Sequence, residues 1–238
     1  MAPTLELHDD IAVLTLGDDE NRFSPDHLTA LDELLTEVEN SARGLVTAGT
    51  GKFYSNGLDL EWLLANPDRA DWYVDQVQAL FVRLLTLGLP TVAAVNGHAF
   101  GAGAMLAIAH DFRVMRDDRG FYCFPEVDIN IPFTAGMAAL IQAKVSPQTA
   151  VEAMTTGRRY GGADALAAGL VDATASEDAV VSSAVERLPA ARRQGQEHPH
   201  RHQEDDVPAG DRRAPAGSQP LRCPLRAGRR VGLPTTRF

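Results

Sequence analysis

Two glycine-bearing segments and one acidic residue carry the chemistry that this sequence suggests. The segments are Phe53–Asp59 and Asn96–Ala104, whose small residues let a ligand oxygen approach the backbone closely. Glu126 follows in an unusually apolar run, Phe121–Phe133. Burial there disfavours the ionised carboxylate and moves its pKa toward neutrality, which suits a general base. Two N–H donors that converge on a carbonyl oxygen, with one base, are the minimum equipment for chemistry through an enolate.

Each of these motifs also has a structural explanation. The triplet Gly101-Ala102-Gly103 is consistent with tight packing of a helix start against a strand, although a helix N-terminus also offers unsatisfied N–H groups. Ser55–Asp59 alone is an ordinary turn. Glu126 could be a hydrogen-bonded structural acid, and Asp128 is its rival as the reactive carboxylate. The combination favours function, because each turn follows a strand and the two lie about forty residues apart.

Other polar residues suggest no second kind of site. His98 and His110 are more consistent with loop or core positions than with catalysis, and no His, Cys and Asp spacing indicates a metal site. Cys123 and Cys223 are far apart in unlike surroundings, so no disulfide framework is indicated. We therefore expect neither a metal nor a disulfide.

Composition limits the partners. The chain has 238 residues, 45% of them apolar, a net charge of −10 and a pI near 5.1. Such acidity argues against nucleic acid or an acidic membrane, since both require a basic face. No apolar run approaches the length of a membrane span, and the N-terminus does not resemble a signal peptide. We expect a soluble protein of a reduced compartment, by default the cytoplasm.

Charge divides the chain into a body and a tail. Residues 1–187 hold 12 basic and 27 acidic residues, whereas residues 188–238 hold 10 arginines and 5 acids. The tail also contains 7 of the 14 prolines and lacks Ile, Met, Tyr and Trp. This composition predicts a folded domain over 1–187 and a basic, disordered tail over 188–238.

Periodicity within the body predicts an α/β fold. A hairpin surrounds His8-Asp9-Asp10, and a helix begins at Pro25 with Ser24 as its cap. Further helices and strands alternate along the chain, which favours helices packed on a sheet. The predicted helices are 70–87, 102–110, 135–144 and 147–155, and the predicted strands are 44–49, 91–95 and 112–115. No internal repeat is evident from the residues.

Three motifs together resemble the enoyl-CoA hydratase/isomerase, or crotonase, superfamily. They are Phe53–Leu60, Ala93–Ala104 and Phe124–Ile129, and the likeness extends from the N-terminal hairpin to about Glu186. The resemblance implies a spiral of ββα units that binds an acyl-CoA thioester. It also implies trimers or paired trimers, a place in fatty acid β-oxidation, and no cofactor beyond the CoA of the substrate.

The resemblance assigns roles to individual residues. The two amides of the oxyanion hole fall on Leu58 and Ala102, which would act through their backbone N–H groups. The acid of the family's Pro-Glu pair falls on Glu126. The substrate-binding and CoA-binding positions implied by the resemblance are Lys52, Ser55, Asn56, Gly57, Gly101 and Gly103.

One departure from the family pattern selects the reaction. The first acid of the hydratases falls on Met105, which cannot transfer protons. Hydration is best served by two carboxylates, whereas moving a double bond needs only one base. A single Glu126 therefore resembles the Δ3,Δ2-enoyl-CoA isomerase branch. The alternatives are a hydratase or thioesterase that uses Asp128 or Asp59 with water, and a non-catalytic protein that binds acyl-CoA.

The tail differs from the family. One choice of codons for Arg193–Asp206, reread one nucleotide later, yields a segment similar to the family's C-terminal helix start, so we hypothesise a frameshift. A genuine basic tail is the alternative, and the coding DNA around Arg187–Arg193 decides between them. Because the tail region helps to cover CoA and to build the trimer in the family, the frameshift would affect both. A lost C-terminal signal would make the peroxisome the alternative compartment.

Overall fold

The structure is a computed structural model and describes residues 2–188. Within that range the strands are β1 Thr4–His8, β2 Ile11–Thr15, β3 Gly44–Ala48, β4 Phe53–Ser55, β5 Thr91–Val95, β6 His98–Phe100, β7 Phe112–Arg116, β8 Tyr122–Cys123 and β9 Ala173–Ala175. The α-helices are α1 Pro25–Ser41, α2 Leu60–Ala65, α3 Ala70–Thr86, α4 Ala102–Ala109, α5 Glu126–Ile129, α6 Ala135–Lys144, α7 Pro147–Thr156, α8 Gly162–Ala167 and α9 Val180–Arg187. Short 3-10 turns precede α3 and α9.

The strands form two sheets. The larger sheet has the order β1-β2-β3-β5-β7-β9, and the smaller sheet has the order β4-β6-β8. Only the β1–β2 hairpin is antiparallel among the pairs of these sheets. Strands β3 and β4, β5 and β6, and β7 and β8 each place one strand in each sheet. This recurrence forms a spiral of ββα units, as expected from the resemblance, although the residues alone gave no sign of a repeat.

Helix α4 lies at the centre of the core. All eight of its residues are buried, and it contacts α3, α6 and strands of both sheets. Its small side chains, such as Ala104 and Ala107, permit this close approach. A helix that is apolar on every face must be enclosed on every face, so α4 fixes the position of the glycine segment that precedes it.

The longer elements agree with the sequence predictions. Ser24 Oγ accepts a hydrogen bond from the His27 N–H at 3.2 Å, and Pro25 occupies the first turn of α1. Helix α6 and strand β5 have the predicted bounds. The predicted α/β fold class is thus confirmed. Short elements were not foreseen, notably β6, which lies inside the segment interpreted as a glycine turn.

The predicted tail and the frameshift hypothesis concern residues at and beyond the C-terminal end of the described range. Leu188 is buried, and its side chain lies where a Cβ atom at Gly44 would be, so the packed body includes it. The rest of the basic tail, with the frameshift hypothesis that concerns it, lies outside the described residues. Within residues 2–188 no helix is both long and apolar enough to cross a membrane.

Candidate active site

Close glycine contacts interlock the two motif segments. A Cβ atom at Gly57 would lie 2.7 Å from the Phe100 oxygen and 2.8 Å from the Ala102 nitrogen. A Cβ atom at Gly103 would lie 2.2 Å from the Ser55 oxygen. Since real Cβ atoms do not approach other atoms so closely, both positions require glycine. The fold therefore places the turn that leads to Leu58 directly against the start of α4.

Both predicted N–H donors are available for a ligand. Among hydrogen bonds between described residues, neither the Leu58 N–H nor the Ala102 N–H donates to a protein acceptor. Ala102 is the first residue of α4, where the N–H groups have no partner within the helix and the helix dipole favours negative charge. This amide is therefore suited to an oxygen that gains negative charge.

Glu126 is the first residue of the one-turn helix α5 and is only 8% exposed. Its Oε2 atom has no hydrogen-bond partner among the described residues. Burial raises the pKa of Glu126 from 4.5 to about 7. A buried carboxyl with one unpartnered oxygen is costly to ionise, so this group can both accept and return a proton near neutral pH.

Gly101 joins the base to the glycine segment. Its backbone φ is +53°, and a Cβ atom there would be 3.2 Å from Glu126 Oε1. The Gly101 N–H donates to the Cys123 oxygen at 3.0 Å, which ties the segment to the strand before α5. Gly57, Gly101, Ala102 and Glu126 are thus brought together, although they are distant in sequence.

The other carboxylates considered from the sequence face elsewhere. Asp128 is exposed, and its carboxylate lies beside Gly157 at the end of α7. Asp59 caps α2, because its Oδ1 accepts from the Trp62 N–H at 3.0 Å. Met105 is buried on α4. Among the described residues no neighbouring charge contributes to the raised pKa of Glu126, so its carboxyl has no close carboxylate partner.

The remaining predicted binding residues lie around the turn. Lys52 is exposed, and its Nζ is 5.1 Å from the centroid of the Phe53 ring. Asn56 is partly buried, and its N–H donates to the Glu20 oxygen at 2.8 Å. Ser55 is fully buried. Its hydroxyl donates to the backbone oxygen of Asn21 and accepts from the Gly57 N–H. The Ser55 side chain therefore stabilises the turn from its buried side, a position that does not favour direct contact with substrate.

The loop between β2 and α1 supports the site in a way that the sequence did not indicate. The Asn21 side chain donates to the Tyr54 and Phe53 oxygens at 3.0 and 3.2 Å. The Phe23 N–H donates to the Gly57 oxygen at 2.9 Å. The one available signal was an asparagine in a polar loop, since Asn tolerates the left-handed backbone that Asn21 adopts, with φ 49°.

A surface depression adjoins the Leu58 turn. Its volume is about 340 Å³, and it includes Asp59 together with His27 and Arg22. The other lining residues are Asp19, Glu20, Asn21 and Ser24. Burial lowers the pKa of His27.

The histidines behave as the sequence suggested. His110 is buried, with Nε2 3.0 Å from Thr47 Oγ1 and Nδ1 2.9 Å from the Leu106 oxygen. His98 packs among the rings of Phe53, Phe100 and Phe121. Within the described residues no three His, Cys, Asp or Glu side chains are grouped so as to hold a metal ion.

Known proteins resemble this chain at several levels. The family model described as "Enoyl-CoA hydratase/isomerase" matches residues 6–205, a range that continues past the boundary predicted at residue 187. Enoyl-CoA delta isomerase 2, peroxisomal, from Arabidopsis thaliana is 38% identical over 209 residues, which cover 81% of this chain and 87% of that protein. Enoyl-CoA delta isomerase 3 from the same plant is 40% identical over 185 residues, 74% of this chain and 78% of that protein.

A solved structure has the same fold. The crystal structure of a probable enoyl-CoA hydratase from Mycobacterium tuberculosis superposes with a TM-score of 0.75 at 27% identity. The superposition covers 79% of this chain and 80% of that one. The similarity therefore includes both the sequence and the arrangement of the two sheets.

Proposed function

Because the chain belongs to the enoyl-CoA hydratase/isomerase family, we propose that it is an enoyl-CoA isomerase that moves the double bond of a 3-enoyl-CoA to position 2. The observation that carries this proposal is the buried Glu126 carboxyl, whose pKa is raised to about 7 with no second carboxylate beside it in residues 2–188. Relatives of 38 and 40% identity named enoyl-CoA delta isomerases support it.

The reaction is a transfer of one proton within the substrate. The Glu126 carboxylate takes a proton from C2, and the electron pair of that C–H bond forms a dienolate whose charge lies on the thioester oxygen. The Leu58 and Ala102 N–H groups donate to that oxygen. The protonated Glu126 then delivers its proton to C4, which leaves the double bond between C2 and C3. No electrons enter or leave, so the reaction requires no cofactor beyond the CoA of the substrate.

Binding of the CoA part is assigned to the turn and its surroundings. Gly57 and Gly103 let the turn and the start of α4 pack closely together, and Gly101 leaves room for the Glu126 carboxylate beside the position assigned to the thioester. The exposed Lys52 and the partly buried Asn56 lie at either end of the Phe53–Ser55 strand. Lys52 supplies a positive charge for a phosphate group.

Replacement of Glu126 by Gln tests the reaction. The amide has nearly the same size but cannot accept the proton, so turnover of a 3-enoyl-CoA should fall by about 10²–10⁴-fold. Asp128→Asn is the matched control, because Asp128 is exposed two residues away, and it should retain activity. Unchanged turnover by Glu126→Gln would falsify the assigned role.

A hydration assay separates the isomerase from the hydratase alternative. Hydration of a 2-enoyl-CoA should be far slower than isomerisation, because Met105 occupies the position where a hydratase would need its first acid. Faster hydration than isomerisation by the full chain would favour the hydratase. Binding of CoA without either reaction would favour a non-catalytic protein.

Assembly and compartment are part of the same proposal. Large apolar side chains on α5 and α7 are exposed, namely Val127, Ile129 and Val151, and such patches favour association. The family resemblance implies a homotrimer or a dimer of trimers. If the tail is frameshifted, the 238-residue chain should form trimers poorly or heterogeneously, and light scattering measures this. The compartment is either the cytoplasm or the peroxisome named for one relative, and fluorescence imaging of the tagged protein distinguishes them.

A further inference from the structure

The Tyr73 hydroxyl lies between two backbone segments of the candidate site. It accepts a hydrogen bond from the Asp59 N–H at 2.8 Å and donates one to the Phe23 oxygen at 2.7 Å. Asp59 directly follows Leu58, whose N–H is the proposed donor to the substrate. One side chain on α3 therefore links the Leu58 turn to the loop before α1.

This link reinforces one side of a backbone bridge. Phe23 and Leu58 form an isolated parallel bridge, in which Phe23 would bond to the residues on either side of Leu58. On one side the Phe23 N–H donates directly to the Gly57 oxygen at 2.9 Å. On the other side the Asp59 N–H donates to the Tyr73 hydroxyl at 2.8 Å, and that hydroxyl donates to the Phe23 oxygen at 2.7 Å, so the side chain joins the same two backbone groups as the bridge. The hydroxyl thus acts as a spacer that sets the tilt of the segment containing Leu58.

The spacer is itself held firmly. Tyr73 is completely buried, and its ring packs 5.0 Å from the Trp62 ring. The Trp62 N–H is bound by the Asp59 carboxylate at 3.0 Å, so Asp59 is fixed through both its main chain and its side chain. Burial raises the pKa of Tyr73, which keeps the hydroxyl protonated as a donor.

We propose that Tyr73 is a positioning residue that orients the Leu58 N–H toward the thioester oxygen. This inference rests on the proposed function, because it gives Leu58 the role of an oxyanion donor. Tyr73 does not touch the reacting atoms. Its hydroxyl acts by holding the peptide groups on both sides of the Phe23–Leu58 bridge.

Removal of the hydroxyl tests the proposal. Tyr73→Phe keeps the buried ring, and we expect kcat for a 3-enoyl-CoA to fall about 10–100-fold, since a donor misplaced by about 1 Å can cost 10²-fold. KM should change less than kcat. Tyr54→Phe is the matched control: Tyr54 is equally buried, and its hydroxyl bonds to Thr47 Oγ1 at 2.7 Å rather than to the turn. Its melting temperature should fall while kcat is retained.

A readout that needs no turnover separates this role from that of Glu126. A 3-ketoacyl-CoA forms an enolate with a near-ultraviolet absorption band, and N–H donors that stabilise the enolate increase that band on binding. We expect the band to increase on binding to the wild type and to Tyr54→Phe. With Tyr73→Phe the increase should be at least several-fold smaller. If the wild type increases the enolate band and Tyr73→Phe matches the wild type in both band and kcat, the positioning role of Tyr73 is overturned and the proposed oxyanion site is retained. If the wild type gives no increase, the proposed oxyanion site fails as well.

Discussion

The Glu126 carboxylate occupies the space that a side chain at Gly101 would need. A Cβ atom at position 101 would lie 3.2 Å from Glu126 Oε1, and Gly101 adopts φ +53° and ψ −122°. The same glycine precedes Ala102, whose free N–H begins helix α4. The base and one proposed oxyanion donor are therefore adjacent to a single residue, where the positive φ favours glycine and a Cβ atom would crowd the carboxylate.

Gly101→Ala should consequently impair activity and stability together. The methyl group would push the carboxylate aside and impose a backbone conformation that costs about 1–3 kcal/mol for a residue with a side chain. We expect kcat/KM to fall by at least about tenfold and the melting temperature to decrease. Gly88→Ala is the control, since a Cβ atom at position 88 meets no atom within 4 Å. Equal activity of the two variants would contradict this account.

The rate of isomerisation should depend on pH through Glu126. Only the ionised carboxylate can take a proton, and burial raises its pKa to about 7. Below that pH, kcat/KM should rise about tenfold per pH unit, and above it the profile should level off. Asp128→Asn should leave the midpoint unchanged because its carboxylate faces Gly157. A profile that is flat between about pH 5.5 and 8.5 would assign the base to another group.

The sequence allowed the longer elements and the main site segments to be predicted, for physical reasons. Helix α1 has a cap, a proline in its first turn and an apolar stripe, and β5 is a buried apolar run, so local interactions define both. The apolar surroundings of Glu126 likewise indicated its raised pKa. These features can be predicted from the sequence because each depends on residues that are close together in the chain.

The supporting contacts were not predictable in the same way. The Tyr73 hydroxyl reaches the Phe23 oxygen across 50 residues, and Asn21 reaches the Tyr54 oxygen across 33. In the sequence, Tyr73 is simply one aromatic residue of an amphipathic helix. Strands of two or three residues, such as β6 and β8, carry too little periodicity to be distinguished from turns. Both kinds of feature depend on how the two sheets bring distant segments together.

The contribution of His110 to the stability of the body should decrease in mild acid. Burial lowers its pKa from 6.5 to about 4, so His110 is protonated at a lower pH in the folded protein than in the unfolded chain. The contribution of neutral His110 to stability is complete above pH 6.5 and is lost as pH falls toward 4. Denaturant unfolding at several pH values measures this effect.

His110→Gln isolates that contribution. At pH 7 the variant should be less stable than the wild type, since it disturbs the bonds to Thr47 and Leu106. As pH falls below 6.5, the difference in the free energy of unfolding between the wild type and the variant should narrow. Only the wild type then loses the stabilising contribution of the neutral His110 ring. His8→Gln, at an exposed position, is the control at pH 7 and should change the stability little there. A stability difference that stays constant from pH 7 to about 4.5 would contradict the prediction.

Glu126 should stabilise the protein least at the pH where it functions. Its pKa is about 7 in the folded protein and 4.5 without burial, so its contribution to stability is complete below pH 4.5 and is lost as pH rises through 7. Glu126→Gln removes this dependence, because the amide is never ionised. The variant should therefore gain stability over the wild type by about 1–3 kcal/mol at pH 8. At pH 5 the gain should be much smaller.

Paired unfolding measurements at the two pH values test this relationship, with Asp128→Asn as the exposed control. The expected combination for Glu126→Gln is lower activity with a higher melting temperature at pH 8, about 2–4 °C for each kcal/mol gained. This combination would distinguish a carboxylate kept buried for catalysis from a structural acid, whose loss destabilises the fold. A melting temperature of Glu126→Gln below that of the wild type at pH 8 would indicate that the Glu126 carboxylate has a stabilising partner.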